Sequence, residues 1–372
     1  MRAITYAIAG LVGLVLLPWD PSVIPGPLPR DTSPTPADSP AEGSGWSRSV
    51  VYFPCSGVRC QAWLYLPAPP PAAKPPIIVA AHGLGAQKDF GLAPYGEVFA
   101  RAGLAALIFD YRTFGGSEGE PRHWVSPRRH LQDWADAVAF ATGPELAGAV
   151  DGSKLLLWGS SFGGGHALTT AAALGDAVTA VVAQVPFTDG RAAFARGVSE
   201  RGPAAIARAL LAGLHDYVRS FFAYPPAYFP LTGAVGALAF MGLTPEEHAA
   251  YYAKHPSKKQ GGWRNMARCR LALEVSRYRP VAAVPRVTAR VLYATADGDR
   301  LCPAGDVAAA LAATPRGELV TVQGNHFDVY SGRQFEELSA RQAAFFREAA
   351  GLPLLGAAGG GGGDAGGAGE EE

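Results

Sequence analysis

The sequence predicts an α/β fold in which a mostly parallel central sheet is covered by helices on both faces. Short apolar runs, such as residues 77–81 and 105–109, are typical of strands that are buried on both faces. Helix-like segments separate most of these runs, and this alternation favours parallel pairing of the strands. The chain of 372 residues is 48% hydrophobic, which is enough to bury a sizeable core.

The elements can be assigned in order from residue 48. Alternating aromatic and β-branched residues predict an antiparallel hairpin of strands 50–54 and 60–67. Ser126 and Pro127 suit the N-cap and first turn of a helix, in which Leu131, Trp134 and Val138 form an apolar stripe. The other predicted strands and helices of this half are strand 77–81, helix 95–103, strand 105–109, the strand ending at 158, helix 165–174 and strand 178–185.

The alternation of strands and helices stops between residues 187 and 284 and then resumes. This stretch has helical patches at 203–222, 245–254 and 263–278 without a strand run, so we expect a helical insertion over the sheet. Strand 289–295, helix 304–312, strand 318–322 and a final helix, 333–350, follow it.

The two ends of the chain differ in composition from the middle. Residues 3–19, which follow Arg2, carry no charge and are largely apolar. They predict that residues 1–19 are a signal or anchor segment and that the protein is secreted or membrane-tethered; a cytoplasmic protein is the alternative. Residues 20–47 are a Pro- and Ser-rich linker, and 352–372 a disordered Gly- and Glu-rich tail. The folded domain is therefore expected over 48–351.

Charge and cysteine content narrow the classes of function. Lys plus Arg and Asp plus Glu number 32 each, so no basic excess indicates a nucleic-acid partner, and a small, largely uncharged substrate is favoured. Cys55 and Cys60 flank the predicted hairpin turn and can form a cross-strand disulfide, but two free, half-buried thiols are favoured. Cys269 and Cys302 show no metal-binding spacing with a histidine, and we expect no metal.

A Gly-x-Ser-x-Gly motif lies where a buried strand passes into a helix of small residues. Gly159 and Gly163 flank Ser161 at the spacing of a nucleophile elbow, a sharp turn that exposes the serine above a parallel sheet. The backbone N–H groups at the start of the following helix favour a developing negative charge. The motif alone is weak evidence, because the chain contains 46 glycines.

A nucleophilic serine needs a base and an acid that orients the base, and in such a sheet both follow later strands. His326 follows the last predicted strand and is the best candidate base. Asp299 follows the preceding strand and is the favoured acid, while Asp297 and Asp189 remain alternatives. The backbone N–H groups of Phe162 and of Leu84, in the loop after His82, would bind the oxyanion.

These motifs together resemble the α/β-hydrolase superfamily over about residues 48–351. The segments His82–Gly85, Asp110–Arg112, Gly159–Gly163, Asp299 and Gly324–Asp328 are similar to those of its serine aminopeptidase-like, acetylxylan-esterase-like and fungal polyketide-transferase-like branches. The acid loop departs from the pattern, because Ala296 stands where these enzymes often have glycine. The resemblance implies hydrolysis of an ester, thioester or amide through an acyl-enzyme, without a metal or organic cofactor.

The insertion resembles the lid that such enzymes place over their substrate pocket. Its aromatic residues either pack the lid onto the body, which is favoured, or line an apolar acyl site; they are Tyr217, Phe221, Phe222, Tyr224, Tyr228 and Phe229. The leading hypothesis is a serine hydrolase acting on a small-molecule acyl substrate. Acyl transfer by the same residues and a non-catalytic binding module are the alternatives, and halide or epoxide chemistry is disfavoured because those relatives carry Asp at the elbow.

Overall fold

A computed structural model of the chain describes residues 43–254 and 263–353, together with positions 5, 6, 10, 13, 24 and 25. Most of the predicted signal or anchor segment, most of the linker and nearly all of the tail lie outside the described residues. Within the described part of the chain, no helix combines the length and apolar composition needed to cross a membrane.

The strands and helices are numbered separately in chain order. The strands are β1 (Ile24–Pro25), β2 (Trp46–Cys55), β3 (Val58–Pro67), β4 (Pro76–Ala81), β5 (Ala105–Phe109), β6 (Asp151–Ser160), β7 (Val178–Gln184), β8 (Ala227–Phe229), β9 (Thr232–Ala234), β10 (Met241–Leu243), β11 (Ala267–Arg268), β12 (Arg290–Ala296) and β13 (Gly317–Val322). The helices are α1 (Ala93–Arg101), α2 (Pro127–Thr142), α3 (Phe162–Leu174), α4 (Gly190–Arg201), α5 (Pro203–Arg219), α6 (Pro245–Ala253), α7 (Leu271–Glu274), α8 (Ala304–Ala313) and α9 (Gly332–Ala349).

The predicted α/β architecture is confirmed. An eight-stranded sheet runs in the order β13-β12-β7-β6-β4-β5-β3-β2; the strands from β13 to β5 pair in parallel, and β3 and β2 are antiparallel. The sheet has a core on each face because successive side chains of a strand point to opposite sides. In β4, Ile77 and Val79 join one core with α2 and α3, while Ile78 and Ala80 join the other with α1 and α9.

The hairpin cysteines correct one expectation. Cys55 and Cys60 form a disulfide, with their Cα atoms 5.5 Å apart, and both are fully buried rather than free and half-buried. Cys55 is paired in register with Val58, and Cys60 with Phe53, so the bond joins diagonal neighbours of the hairpin. Diagonal neighbours on one face of an antiparallel pair come close enough for this when the strands twist strongly at a tight turn.

The insertion also differs from the expectation of helices alone. The helices α4, α5 and α6 are present, but β8 pairs with β11, and β9 with β10. The expected helix 263–278 is reduced to α7 and a short 3₁₀ turn, since β11 occupies part of that range. Ile24–Pro25, inside the expected linker, pairs with β8 and extends this small sheet. Strands of two or three residues are too short to produce an alternating pattern in the sequence.

Candidate active site

The turn between β6 and α3 holds Ser161 in an unusual backbone conformation. Its φ is 57° and its ψ is −121°, a backbone conformation that residues other than glycine rarely adopt. Such strain persists only where the surroundings enforce it, and it is frequent at functional sites. The turn requires small flanking residues: a Cβ on Gly163 would lie 2.5 Å from the carbonyl oxygen of His82, and one on Gly159 would overlap the backbone of Gly163.

The structure brings Ser161, His326 and Asp299 together. The Ser161 Oγ lies 3.0 Å from Nε2 of His326, and Nδ1 of His326 lies 2.7 Å from Oδ2 of Asp299. Each residue follows the carboxyl end of a strand, namely β6, β13 and β12, and these strands lie near one another in the sheet. His326 is 2% exposed and Asp299 5%, so their interaction is shielded from water.

The other oxygen of Asp299 is fixed by the backbone. Oδ1 accepts hydrogen bonds from the N–H groups of Leu301 and Cys302, at 2.9 and 2.8 Å. These bonds fix the orientation of the carboxyl group, so that its Oδ2 points toward His326. The arrangement can therefore hold the imidazole in one tautomer and stabilise an imidazolium ion.

The two alternative acids lie in other interactions. Asp297 accepts a hydrogen bond from the backbone N–H of Gly324 at 3.0 Å and is exposed. Asp189 caps α4 and accepts hydrogen bonds from Nε and Nη2 of Arg279, which lower the pKa of this carboxyl group. Both of these carboxylates are therefore bound to the backbone or to an arginine. Of the three candidate acids, Asp299 is the one that contacts His326.

The two residues whose backbone N–H groups are expected to bind an oxyanion, Phe162 and Leu84, both lie beside Ser161. Phe162 begins α3, so its N–H is among the four at a helix start that lack an acceptor within the helix. Leu84 lines the two cavities that Ser161 also lines. Gly83 lets this loop approach closely, since a Cβ there would lie 2.9 Å from the Cβ of Ser161.

Buried ionic groups anchor the loop that carries Gly83 and Leu84. Nζ of Lys88 lies 2.5 Å from Oδ2 of Asp110, and the other oxygen, Oδ1, accepts the backbone N–H of Lys88 at 2.7 Å. Burial alone would raise the pKa of Asp110, but the pKa is lowered because the charge of Lys88 and the hydrogen bonds that Lys88 donates outweigh that effect. Burial lowers the pKa of His82 to about 4, so this histidine is neutral beside the loop.

A hydrogen-bonded network that the sequence did not reveal joins the serine turn to the histidine loop. The hydroxyl oxygens of Ser160 and Tyr330 lie 2.5 Å apart, and Tyr330 follows His326 by one short 3₁₀ turn. Gln184 donates to Ser160 at 3.3 Å and accepts hydrogen bonds from Tyr95 and Gln342. The residue before Ser161 and the 3₁₀ turn after His326 are thus hydrogen-bonded to each other, although nothing in the local sequence pattern indicates it.

Ser161 lies between two cavities of different size. The larger, of about 190 Å³, has a mainly apolar lining to which the body contributes Leu84, Phe162 and Phe187. The insertion supplies most of the remaining wall, including Phe194, Ile206, Leu210, Phe229, Leu238, Phe240 and Met241. The smaller cavity, of about 40 Å³, lies on the side of His326 and includes Lys254 and Tyr330.

The insertion aromatics divide between several environments. Phe229 lines the larger cavity, and Tyr228 is fully buried with its hydroxyl group donating to the carbonyl of Arg122. The remaining four do not line this cavity, and between 42% and 69% of each is exposed to solvent instead of packed against the protein: Tyr217, Phe221, Phe222 and Tyr224. The expectation that all six pack or line an acyl site is therefore wrong for these four.

Two groups of described residues bring together atoms that metals can bind. In one, Cys55, Cys60 and Asp133 lie close, but the cysteines are consumed by their disulfide. In the other, ligand atoms of Asp299, Cys302 and His326 lie within 4.8 Å of one another. Burial and the negative charge of Asp299 raise the pKa of the Cys302 thiol, so it stays protonated. The contact between Asp299 and His326 therefore suits acid–base catalysis by these two residues.

Known proteins resemble this chain over most of its length. Residues 73–323 match the model of a family described as serine aminopeptidase, S33. The quorum-quenching protein AidA of Acinetobacter baumannii is 34% identical over 297 residues, which cover 80% of this chain and 93% of the relative. The polyketide transferase af380 of Aspergillus fumigatus is 27% identical over 310 residues, 81% of this chain and 98% of the relative.

Among solved structures, DcsB in complex with its substrate analogue has the same fold. It superimposes with a TM-score of 0.69 at 23% identity, covering 82% of this chain and all of that one (100%). At this identity the likeness shows an α/β-hydrolase fold and leaves the substrate open.

Proposed function

The chain belongs to the serine aminopeptidase S33 family of α/β hydrolases, and we propose that it is a serine hydrolase that cleaves carboxylic esters or thioesters, or amides, through an acyl-enzyme. One observation carries the proposal. The oxygen of a strained, elbow-borne serine lies within hydrogen-bond distance of an imidazole whose other nitrogen contacts a buried carboxylate.

The reaction follows from these contacts. With Nδ1 of His326 donating to Asp299, Nε2 carries the lone pair and takes the proton as Ser161 attacks the carbonyl carbon. The N–H groups of Phe162 and Leu84 stabilise the oxyanion, and removing one such donor typically costs about 3 kcal/mol of barrier. His326 then protonates the leaving group, and a water activated by the same imidazole releases the acyl group from Ser161.

The two cavities support an assignment of the substrate's parts. The larger, apolar cavity suits the acyl group, and the smaller one beside His326 suits the leaving group that this histidine protonates. The insertion would then act as a lid, since it forms most of the wall around the acyl group. The substrate would accordingly be a small molecule with an apolar acyl part.

Acyl transfer is the second candidate. The polyketide transferase among the relatives favours it, since an alcohol or amine can replace water in the second half of the reaction without any change in the three residues. Adding a primary alcohol or amine to a hydrolysis assay distinguishes the two, because a transferase forms the new ester or amide in preference to the acid.

The test is labelling of the folded protein with a fluorophosphonate, followed by mass-spectrometric mapping of the modified residue. We expect modification of Ser161, absence of labelling in Ser161→Ala, and strong reduction in His326→Ala. Ser161→Ala should also abolish ester turnover with an unchanged circular dichroism spectrum. Wild-type protein that stays unlabelled, or Ser161→Ala protein that keeps the full rate, would favour the non-catalytic binding module instead.

A further inference from the structure

Large apolar side chains are concentrated on the outer surface of the insertion. Within residues 211–224 they are between 41% and 69% exposed, on α5, on the 3₁₀ turn after it and just beyond; we call these residues the insertion patch: Leu211, Leu214, Tyr217, Phe221, Phe222 and Tyr224. The other strongly exposed large apolar residues of the described chain are scattered singly, for example Tyr52 and Leu319. Scattered residues of this kind are ordinary, whereas a contiguous patch indicates an interaction surface.

The patch is separate from the part of α5 that the fold uses. Ala212, Gly213 and Asp216 are buried against the rest of the insertion, and Leu210 lines the cavity at Ser161. The same helix therefore contributes to the fold and to the cavity wall with its inner side. Its outer apolar side chains contribute neither to the packing of the fold nor to the wall of the cavity.

Guanidinium groups border the patch. A groove beside it is lined by Leu214 and Tyr217 together with Arg270 and Arg277, and the Arg270 guanidinium lies 5.6 Å from the Tyr217 ring. At the other end, Arg219 lies 5.3 Å from the Tyr224 ring.

The carboxylates near this border are held by other groups. Asp216 is buried and binds Arg268 and Arg270, and Glu274, in the groove, accepts a hydrogen bond from Ser126. Arg270 is itself buried and paired with Asp216, so the cationic groups at the accessible border of the patch are Arg277 and Arg219.

From these observations we propose that the insertion patch docks the protein on an anionic phospholipid surface. Apolar and aromatic side chains flanked by cationic groups are the composition of segments that lie in the membrane interface. About half of each of six side chains is exposed, which amounts to roughly 600 Å² for residues of this size. A stable protein interface buries about 800 Å² on each partner, so the patch is small for that purpose.

The adjacent cavity gives the docking a consequence. Because α5 carries the patch on one side and lines the cavity beside Ser161 on the other, docking would place the cavity near the bilayer, where apolar acyl compounds partition.

The test is co-flotation of the full chain with vesicles of phosphatidylcholine alone and of phosphatidylcholine with phosphatidylglycerol. The variants are Phe221→Ser/Phe222→Ser, which removes the most exposed aromatics of the insertion patch, and Arg277→Gln, which removes one border charge. Leu319→Ser is the matched control, because Leu319 is 50% exposed on the edge strand β13, outside the patch. Circular dichroism and turnover of a water-soluble short-chain ester check that every variant is folded.

We expect wild type and Leu319→Ser to bind the anionic vesicles. The double serine variant should bind more weakly by about tenfold or more, since two apolar side chains no longer enter the interface. Arg277→Gln should weaken binding to anionic vesicles in particular. Equal vesicle binding by wild type and the double variant would overturn the proposal, because another segment of the chain would then be responsible. Absence of binding, with a dimer that the double variant dissociates, would overturn it in favour of a second copy of the chain.

Discussion

The contact between Gly83 and the serine turn allows a sharp test of the proposed chemistry. The substitution is Gly83→Ala, and Gly83 has an ordinary backbone φ, so the effect comes from the added methyl group. Its Cβ would lie 2.9 Å from the Cβ of Ser161 and 3.2 Å from the carbonyl oxygen of Ser160. Carbon atoms pack at about 3.5–4.0 Å, so the loop and the turn must separate by roughly 0.6–1 Å.

That displacement falls on both partners of the proposed oxyanion interaction. Leu84 follows Gly83 and Phe162 follows Ser161, so both backbone donors move relative to the reacting oxygen. Misplacement by about 1 Å can cost about 100-fold in rate, and we expect kcat/KM for a soluble p-nitrophenyl ester to fall roughly 10- to 100-fold. Overpacking costs about 1–3 kcal/mol and, in a domain of this size, lowers the melting temperature by about 2–12 °C.

Gly148→Ala is the matched control, because a Cβ at Gly148 meets no atom within 4 Å. It should keep the wild-type kcat/KM and melting temperature, and the rates of both variants are measured well below their melting temperatures. The reasoning is refuted if Gly83→Ala hydrolyses the ester and reacts with the fluorophosphonate at the wild-type rates. Such a result would mean that the oxyanion is bound elsewhere.

Two further predictions concern stability. The Cys55–Cys60 disulfide closes a short loop, so Cys55→Ala/Cys60→Ala should lower the free energy of unfolding in urea by about 2 kcal/mol, and an unchanged unfolding midpoint would contradict this. Burial lowers the pKa of His166 from 6.5 to about 3, so between these values the unfolded chain takes up the proton first. The stability that His166 contributes is therefore complete above pH 6.5 and is lost as the pH falls, by about 1.4 kcal/mol per unit. The slope of unfolding free energy against pH between 4.5 and 6.5 should be shallower in His166→Gln, and equal slopes would contradict the assignment.

The central sheet was predictable from local sequence because its strands are buried on both faces. Residues 105–109 were expected as a strand and form β5 with these bounds, and β4 and β12 begin one residue away from expectation at most. A continuous apolar run bounded by turn residues leaves few alternatives to a central strand. The helix starting at Pro127 was also expected, although the Ser126 hydroxyl binds Glu274 instead of capping the helix.

The candidate site was predictable to the extent that chain topology determines it. In a parallel sheet the carboxyl ends of the strands meet at one edge, so the loops after β6, β12 and β13 must converge. Order along the chain therefore suffices to select Ser161 and His326. The sequence favoured Asp299 but left Asp297 open, because both lie in one loop. The structure distinguishes them, since Asp299 contacts Nδ1 of His326 while Asp297 binds the backbone N–H of Gly324.

The features that escaped prediction depend on contacts between distant segments. The Cys55–Cys60 bond depends on hairpin twist, and the Ser160–Tyr330 contact joins residues 170 positions apart. The strands of the insertion are too short for a pattern, and its exposed aromatics look in the sequence like core residues. An aromatic side chain carries the same apolar signal whether it faces the protein or a partner, so composition alone cannot assign its surroundings.

The features that could be predicted and those that could not belong to different parts of the site. The former concern activation of the serine, and the latter concern recognition of the substrate. The proposed nucleophile, base and acid lie on loops held by the sheet, whose hydrogen bonds and two apolar cores leave their relative positions little freedom. The walls of the larger cavity come mostly from the insertion, where several combinations of apolar residues can fill the same space. The residues that would choose the acyl group are thus under weaker local constraint than those that would activate the serine. A sequence pattern can for this reason indicate the reaction class while the substrate has to be found by measurement.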